Sequence, residues 1–412
     1  MISDPQAGLH ARPNRQPALA QQEVPDTTNL TVRPNGSASL ARRTTGTSTA
    51  TGINPTGTTI VSTPEGVTKA HAGSYKDLKA QVVQDGLLNG RPVYYAIKFL
   101  YTLGGLALLV WALLAIDWLP ARIGLVLACA LAWAQVGFLG HDLGHRQVFG
   151  KAWVNDAWGL LTGNVVLGMS IGWWRDKHNA HHANPNVADI DPDLDIPVLA
   201  FSEEDAQTRR GFARKVLPFQ AALFLPFVSL SSIDFQLSSI RYQFQGSSKS
   251  RGRRALELTL LLAHKGVYIG GLLLIFGPWG LAIGAAHQAC LGIVLGTAFA
   301  PNHKGMPMVD DSMKDDFLRK QVLTARNVRG PKLLTNFVDW WYGGLNYQIE
   351  HHLFPAMPRC NLGHARALTI KFCDHHNISY HETGVVRSYQ EILHHLNTVG
   401  GSVRDAQPVI AG

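Results

Sequence analysis

Four stretches of the chain are apolar over lengths that suit membrane helices. Phe99–Ile116 and Ile123–Gly140 each run 18 residues without a charge, joined by a short turn, Asp117–Arg122, that holds Pro120. Gly266–Asn302 runs 37 residues without Asp, Glu, Lys or Arg and is divided by Gly277-Pro278-Trp279-Gly280, a strong turn signal. The helix before that turn is predicted to begin near Leu256, because Glu257 and Lys265 can lie near an interface. Eighteen helical residues reach about 27 Å, close to the roughly 30 Å of a bilayer's hydrocarbon core. The pattern therefore predicts helices over about 99–116, 123–140, 256–276 and 281–301. Buried hairpins of a soluble core fit these lengths poorly. Gly280/Gly284 and Gly292/Gly296 have the spacing of small residues that lets helices approach closely.

Two more stretches, Ala157–Trp174 and Val216–Ile233, are uncharged over 18 residues each. Basic residues flank both at each end: Lys151 and Arg175, then Lys215 and Arg241. A spanning helix should show charge asymmetry, so these are predicted to be interfacial or re-entrant. Pro218 and Pro226 weaken the second as a regular helix. Lys76, Lys79, Arg91 and Lys98 precede the first predicted membrane helix, and Arg146 follows the second. Lys249, Arg251, Arg253 and Arg254 precede the third, and Lys304 follows the fourth, whereas the opposite loops carry only Arg122. The positive-inside rule then places both termini and the large loops in the cytoplasm.

Residues 1–74 contain no Phe, Trp or Tyr and are rich in Thr, Gly, Pro, Ser and Asn, which reads as a disordered polar tail rather than a secretory signal. Residues 75–395 form the membrane domain in this reading, and 396–412 a C-terminal tail. Charged residues make up only 16% of the chain, against about 25% in soluble domains, while the mean hydropathy is +0.01. A polar tail averaged with membrane helices accounts for both values. The net charge of +8 marks the cytoplasmic side and calls for no nucleic acid partner. Cys129, Cys290, Cys360 and Cys373 form no CxxC pair and read as reduced thiols.

The 18 histidines carry the chemistry. His141-Asp142-Leu143-Gly144-His145 stands at the end of the second predicted helix, with its imidazoles at i and i+4 on one helical face. His178-Asn179-Ala180-His181-His182 has i, i+3, i+4 spacing. Gln348-Ile349-Glu350-His351-His352 repeats it with Gln348 in the first place. His303 lies where the fourth helix ends and is a candidate eighth imidazole. His264 and His287 sit inside apolar helices, with no partner visible in the sequence. His375, His376, His394 and His395 read as surface residues. One metal cannot absorb eight imidazoles, but two can, and imidazole suits Zn, Cu, Fe and Ni. A two-metal site beside a membrane suggests O₂ activation by iron, with a lipid as substrate. Asp142 and Glu350 are candidates to accept the second ring N–H of ligating histidines. The acidic run Asp189, Asp191, Asp193 and Asp195 reads as a solvated loop. Trp173, Trp174, Trp340, Trp341 and Tyr342 flank two clusters, as an acyl tunnel lining or an interfacial belt. All three clusters meet only if neither Ala157–Trp174 nor Val216–Ile233 crosses the bilayer.

HDLGH, HNAHH and GGLNYQIEHHLFPAMPR closely resemble the front-end acyl branch of the membrane fatty acid desaturase family. Thr324-Ala325-Arg326-Asn327-Val328 and Tyr380-His381-Glu382-Thr383-Gly384 resemble it too, and the likeness covers roughly residues 75–395. The resemblance implies an all-α integral membrane protein, four transmembrane helices under a cytosolic di-iron domain. It implies desaturation of a CoA- or lipid-linked acyl chain with O₂ and two electrons. On the same basis His141, His145, His178, His181, His182, His351 and His352 are the iron ligands, with His303 and Gln348 as further candidates. Many front-end desaturases carry a fused cytochrome b5 domain with a His-Pro-Gly-Gly motif, which these 412 residues do not contain. A separate ferredoxin, or cytochrome b5 with its reductase, is then the expected electron donor. A lipid hydroxylase on the same scaffold is the main alternative. A membrane metal transporter would place its ligands near midplane instead.

Overall fold

A computed structural model describes residues 72–245 and 250–405 of the chain. The predicted tail falls outside the described residues up to position 71, and a helix already begins at Ala72. The helices, in order, are α1 (Ala72–Gln84), α2 (Pro92–Ala115), α3 (Leu119–Gly144), α4 (Ala152–Gly159), α5 (Ile171–Ala183), α6 (Glu203–Thr208), α7 (Gly211–Val216), α8 (Phe224–Ser229), α9 (Ser231–Phe244), α10 (Arg251–Phe276), α11 (Gly280–His303), α12 (Phe317–Leu323), α13 (Thr335–Trp341), α14 (Gln348–Leu353), α15 (Leu362–His375) and α16 (Val385–Asp405). A π-helical stretch, Leu160–Leu167, follows α4, and two short parallel strands, β1 (Asn327–Arg329) and β2 (Glu382–Gly384), are the non-helical pairing.

Among the described residues, three helical runs are long and apolar enough to cross a membrane: Pro92–Ala115, Leu119–Gly144 and the 53-residue Arg251–His303. The last contains the one-turn break Gly277–Trp279 and folds back on itself there. Tyr268 Oη of α10 donates to Gly284 O of α11 at 3.2 Å, and a Cβ on Gly280 would touch the Leu272 backbone. Gly292 and Gly296 lie equally close to Ser229 and Val228 of α8, so the small-residue spacing serves two different neighbours. Helices α3 and α10 both begin earlier than their uncharged cores indicate. Proline in the first turn of a helix costs no hydrogen bond, and the interfacial arginines of α10 are good helix formers.

No continuous helix runs through Ala157–Trp174 or Val216–Ile233. In the first, Gly168 takes φ +66° and ends the π-helix; a Cβ there would stand 2.3 Å from the His264 ring, so only glycine fits. In the second, the chain breaks around Pro218 and turns again before α8. The predicted C-terminal tail is corrected: α16 continues through residue 396 to Asp405. Its Ile392, Leu396, Val399 and Val403 keep a helical period and are buried.

Candidate metal centre

Each histidine cluster sits where a local signal places it. The C-terminal third of α3 is buried and carries glycines at 137, 140 and 144 that let neighbours close in. A Cβ on Gly144 would stand 2.1 Å from the Trp174 ring, so the glycine inside HDLGH makes room for that indole. Trp174 in turn stacks on His178 with centroids 4.5 Å apart. Helix α5 starts at the cap Ser170, whose Oγ accepts from Trp173 N at 3.0 Å and donates to buried Glu257 of α10. The acid near the start of α10 thereby fixes the helix that bears His178, His181 and His182. Helix α14 presents His351 and His352, both buried.

The seven box histidines and His303 come together. Ligand nitrogens of His141, His145, His178 and His351 lie within 4.8 Å of one another. His182 Nε2 joins them, 3.0 Å from His178 Nε2 and 3.1 Å from His351 Nε2. His181, His303 and His352 form a second group, with Nε2–Nε2 separations of 3.3 and 3.1 Å. The rings of His182 and His352 stack at 4.1 Å and join the two groups.

The hydrogen bonds decide which nitrogens face inward. His181 Nδ1 donates to Asp191 at 2.9 Å, His303 Nδ1 to Thr324 O at 2.9 Å, and His352 Nδ1 to Gln321 Oε1 at 2.8 Å. Gln321 Nε2 donates to His182 O at 2.9 Å, which turns its oxygen to His352. All three partners accept, so all three Nδ1 atoms carry the proton and all three Nε2 lone pairs point into one space. In the first group, buried His141 Nε2 and His145 Nε2 have no hydrogen-bond partner. Burial, then neighbouring imidazoles, hold His178, His182, His351 and His352 well below the usual imidazole pKa. Neutral rings with converging lone pairs repel one another unless a cation lies between them. Each group can therefore hold a metal ion, and the all-nitrogen donor set suits a first-row transition metal.

Several sequence expectations are corrected here. Glu350 touches no histidine. It accepts from Asn327 Nδ2 at 2.7 Å and Tyr380 Oη at 2.9 Å, and burial pushes its carboxyl up to about 7. On a helix, the residue before His351 points about 100° away from it, out of the histidine space. Asp142, by contrast, does accept from His141 Nδ1 at 3.5 Å, as its place in the box suggested, and it also pairs with the buried guanidinium of Arg359. Gln348 stands beside the second group with its amide nitrogen 3.0 Å from His303 Nε2, while its oxygen accepts from Asn302 Nδ2. Asp191, read as part of a solvated loop, is buried and orients His181. Nothing in the alternating acids distinguished it from Asp189 or Asp195. His395, read as a surface residue, is half-buried and donates to Phe201 O at 2.9 Å. His264 and His287 do have partners, Val165 O at 2.9 Å and Tyr268 Oη at 3.0 Å.

Apolar helices ending in a buried, all-histidine cage define the class. A family model described as fatty acid desaturase matches residues 116–384, and the chain belongs to the fatty acid desaturase family. It is 31% identical to an acyl-lipid (9-3)-desaturase of Physcomitrium patens over 79% of this chain and 62% of that protein. It is 32% identical to a Delta(6)-fatty-acid desaturase of Caenorhabditis elegans, over 74% of this chain and 70% of the relative. A Delta(5) fatty acid desaturase of the same nematode is 31% identical over 74% and 69%. The chain thus spans less than two thirds of the moss relative's length.

Proposed function

We propose that this chain is a membrane fatty acyl desaturase of the front-end type, inserting a double bond into a CoA- or lipid-linked acyl chain with O₂ and two electrons. The carrying observation is the gathering of eight imidazoles from three boxes and α11 into two adjoining groups at the ends of apolar helices. The regiochemistry rests on relatives named as (9-3)-, Delta(6)- and Delta(5)-desaturases.

His141, His145, His178, His182 and His351 would hold one iron, and His181, His303 and His352 the other. A metal pair held there would supply the oxidising power that an unactivated methylene requires. The protein's own part is positioning. Asp191, Thr324 and Gln321 hold three ring protons outward, so the opposite nitrogens stay bare and correctly turned. Trp174 closes the first group with an apolar wall against water. In this reading α2, α3, α10 and α11 cross the bilayer, and the termini and the histidine cage face the cytoplasm, as the lysine and arginine placement requires. Electrons come from a separate ferredoxin or cytochrome b5 system, so the pure protein should not turn over with NAD(P)H alone.

The test is expression in a host without desaturases, with fed acyl precursors and fatty acid methyl ester analysis. A product two hydrogens lighter supports desaturation and its fragmentation gives the position. A product heavier by one oxygen identifies a hydroxylase instead. His181→Ala should abolish the product; full retained activity would refute the ligand assignment.

A further inference from the structure

The segment between β1 and α14 carries an apolar face that none of the described residues covers. Leu333 is 98% exposed, Phe337 54% and Leu334 51%. All three lie on the short 3₁₀ turn Lys332–Leu334 and on α13. The opposite side of α13 is anchored. Val338 and Tyr342 are buried in the same core as Leu106 of α2 and Ala130, Ala134 and Phe138 of α3. Gln135 Nε2, six residues before His141 on α3, donates to Trp340 O at 2.9 Å. A Cβ on Gly343 would stand 2.2 Å from the Phe138 ring, so the chain leaving α13 is pressed directly against α3. Asp339 turns away from the apolar face and accepts from Asn346 Nδ2 at 2.8 Å and Tyr347 Oη at 3.3 Å.

These contacts fix the height of the patch. Gln135 lies about 9 Å along α3 from the His141 level, back toward the body of the apolar helix. On α2, Lys98 interacts electrostatically with Asp339 and lies 5.0 Å from the Tyr101 ring centroid. Lysine beside tyrosine is the residue pair of a membrane–water boundary. Beyond Lys98, α2 exposes Leu100, Leu108 and Trp111, while its Leu106 shares the core that holds Val338 of α13. Lys332 at the rim of the patch can extend its ammonium to the headgroups while its stem stays with the leucines.

We infer that the 332–341 segment is a monotopic wedge that inserts Leu333, Leu334 and Phe337 into the cytoplasmic leaflet beside α2. This rests on the reading that α2 and α3 cross the bilayer. The wedge lies directly before the glycines that lead into α14. It therefore ties the leaflet surface to His351 and His352 and sets their height above the lipid. A bilayer is the occupant because the patch is anchored to α3 on the apolar side of the His141 level, beside the Lys98–Tyr101 boundary of α2, and is apolar at its centre and basic at its rim. A protein partner would have to share that surface with lipid.

The test uses the full chain in phosphatidylcholine vesicles, with an environment-sensitive fluorophore on Leu333→Cys, read over the parent protein treated identically. Leu100→Cys on α2 and Lys371→Cys on α15, both exposed, serve as controls. The proposal expects nitroxide-bearing lipid to quench the Leu333 and Leu100 sites alike, with aqueous iodide quenching only Lys371. Iodide quenching of Leu333 at the level of Lys371, with Leu100 still lipid-quenched, overturns the wedge and leaves the crossing helices standing. Iodide quenching of both Leu333 and Leu100 overturns the membrane reading and the wedge with it. Phe337→Cys reports the same patch if Leu333→Cys fails to accumulate.

Discussion

Replacing Arg359 should do more damage than any change at an exposed cation of this chain. Arg359 lies six residues beyond α14 and is 7% exposed; its partner Asp142, inside HDLGH, is 2% exposed. The guanidinium pairs with the Asp142 carboxylate and donates to Phe138 O, while Arg359 N donates to Tyr95 Oη at 3.4 Å. Gln147 reinforces the junction, donating from Nε2 to Pro355 O at 2.7 Å and accepting from Tyr95 Oη at 3.1 Å. The first and third histidine boxes are thus held together by one buried ion pair and the hydrogen bonds around it. Arg359→Gln leaves a carboxylate in a site that water does not reach. Stranding one member of a buried pair costs about 3–5 kcal/mol. At roughly 2–4 °C per kcal/mol for larger domains, the unfolding midpoint in detergent should fall by about 6–20 °C. Asp142→Asn with Arg359→Gln removes both charges together. The double variant should therefore be more stable than the sum of the single losses, by about 0.5–3 kcal/mol. Arg359→Lys keeps the charge but loses the fork, and should fall between Arg359→Gln and the parent. Thermal unfolding of the parent, Arg359→Gln, Asp142→Asn, the double variant and Arg359→Lys, with metal content measured alongside, checks the whole set. Arg359→Gln as stable as the parent, or strictly additive losses, would refute the clamp.

Three further outcomes follow from the same contacts. Asp191→Ala removes the acceptor for His181 Nδ1 and should lower metal affinity roughly 10–100-fold, read by competition with a chelator. Gly144→Ala drives a methyl into Trp174 and should cost about 1–3 kcal/mol in thermal unfolding; Trp174→Leu in the same chain should recover part of it, and no recovery would place the cost elsewhere. Glu391 anchors α16 to Arg326 and His381. Burial raises its pKa, but the His381 hydrogen bond and the Arg326 charge outweigh this and hold it at about 2, below the ordinary 4.5. Its contribution is therefore complete above pH 4.5 and is lost as pH falls toward 2. The stability gap between the parent and Glu391→Gln should narrow across that window, and a gap independent of pH would count against the pair.

The elements that depend on local pattern were legible in the sequence. Uncharged runs of membrane length became α2, α3, α10 and α11, because hydropathy and helix length are properties of a segment alone. The glycine–proline break at 277–280 did become a turn. The i, i+3, i+4 spacing of the second box also carries its division of labour. His178 and His182 share one side of α5 and belong to the first group, while His181, about 100° round from His182, belongs to the second. Charge runs misled in one place, since a solvated acidic loop and a buried orienting carboxylate have the same composition. Only packing sets Asp191, and Asp193 3.5 Å from His181 Nδ1, apart from the exposed Asp189 and Asp195.

The partners of the cage were decided by the tertiary structure. His303 stood alone in the sequence and becomes a group member because α11 ends beside α5 and α14. Glu350 is adjacent to His351 in sequence, yet faces Asn327 and Tyr380. Arg359 reaches Asp142 across more than two hundred residues. The sequence by itself determined the four long apolar helices and where imidazoles cluster, because these follow from interactions within a few residues, whereas α16 runs on past 396 only because the rest of the fold buries its apolar stripe. Which nitrogen of each ring faces inward, and which acid holds it there, required contacts between distant segments, and those exist only once the helices have packed.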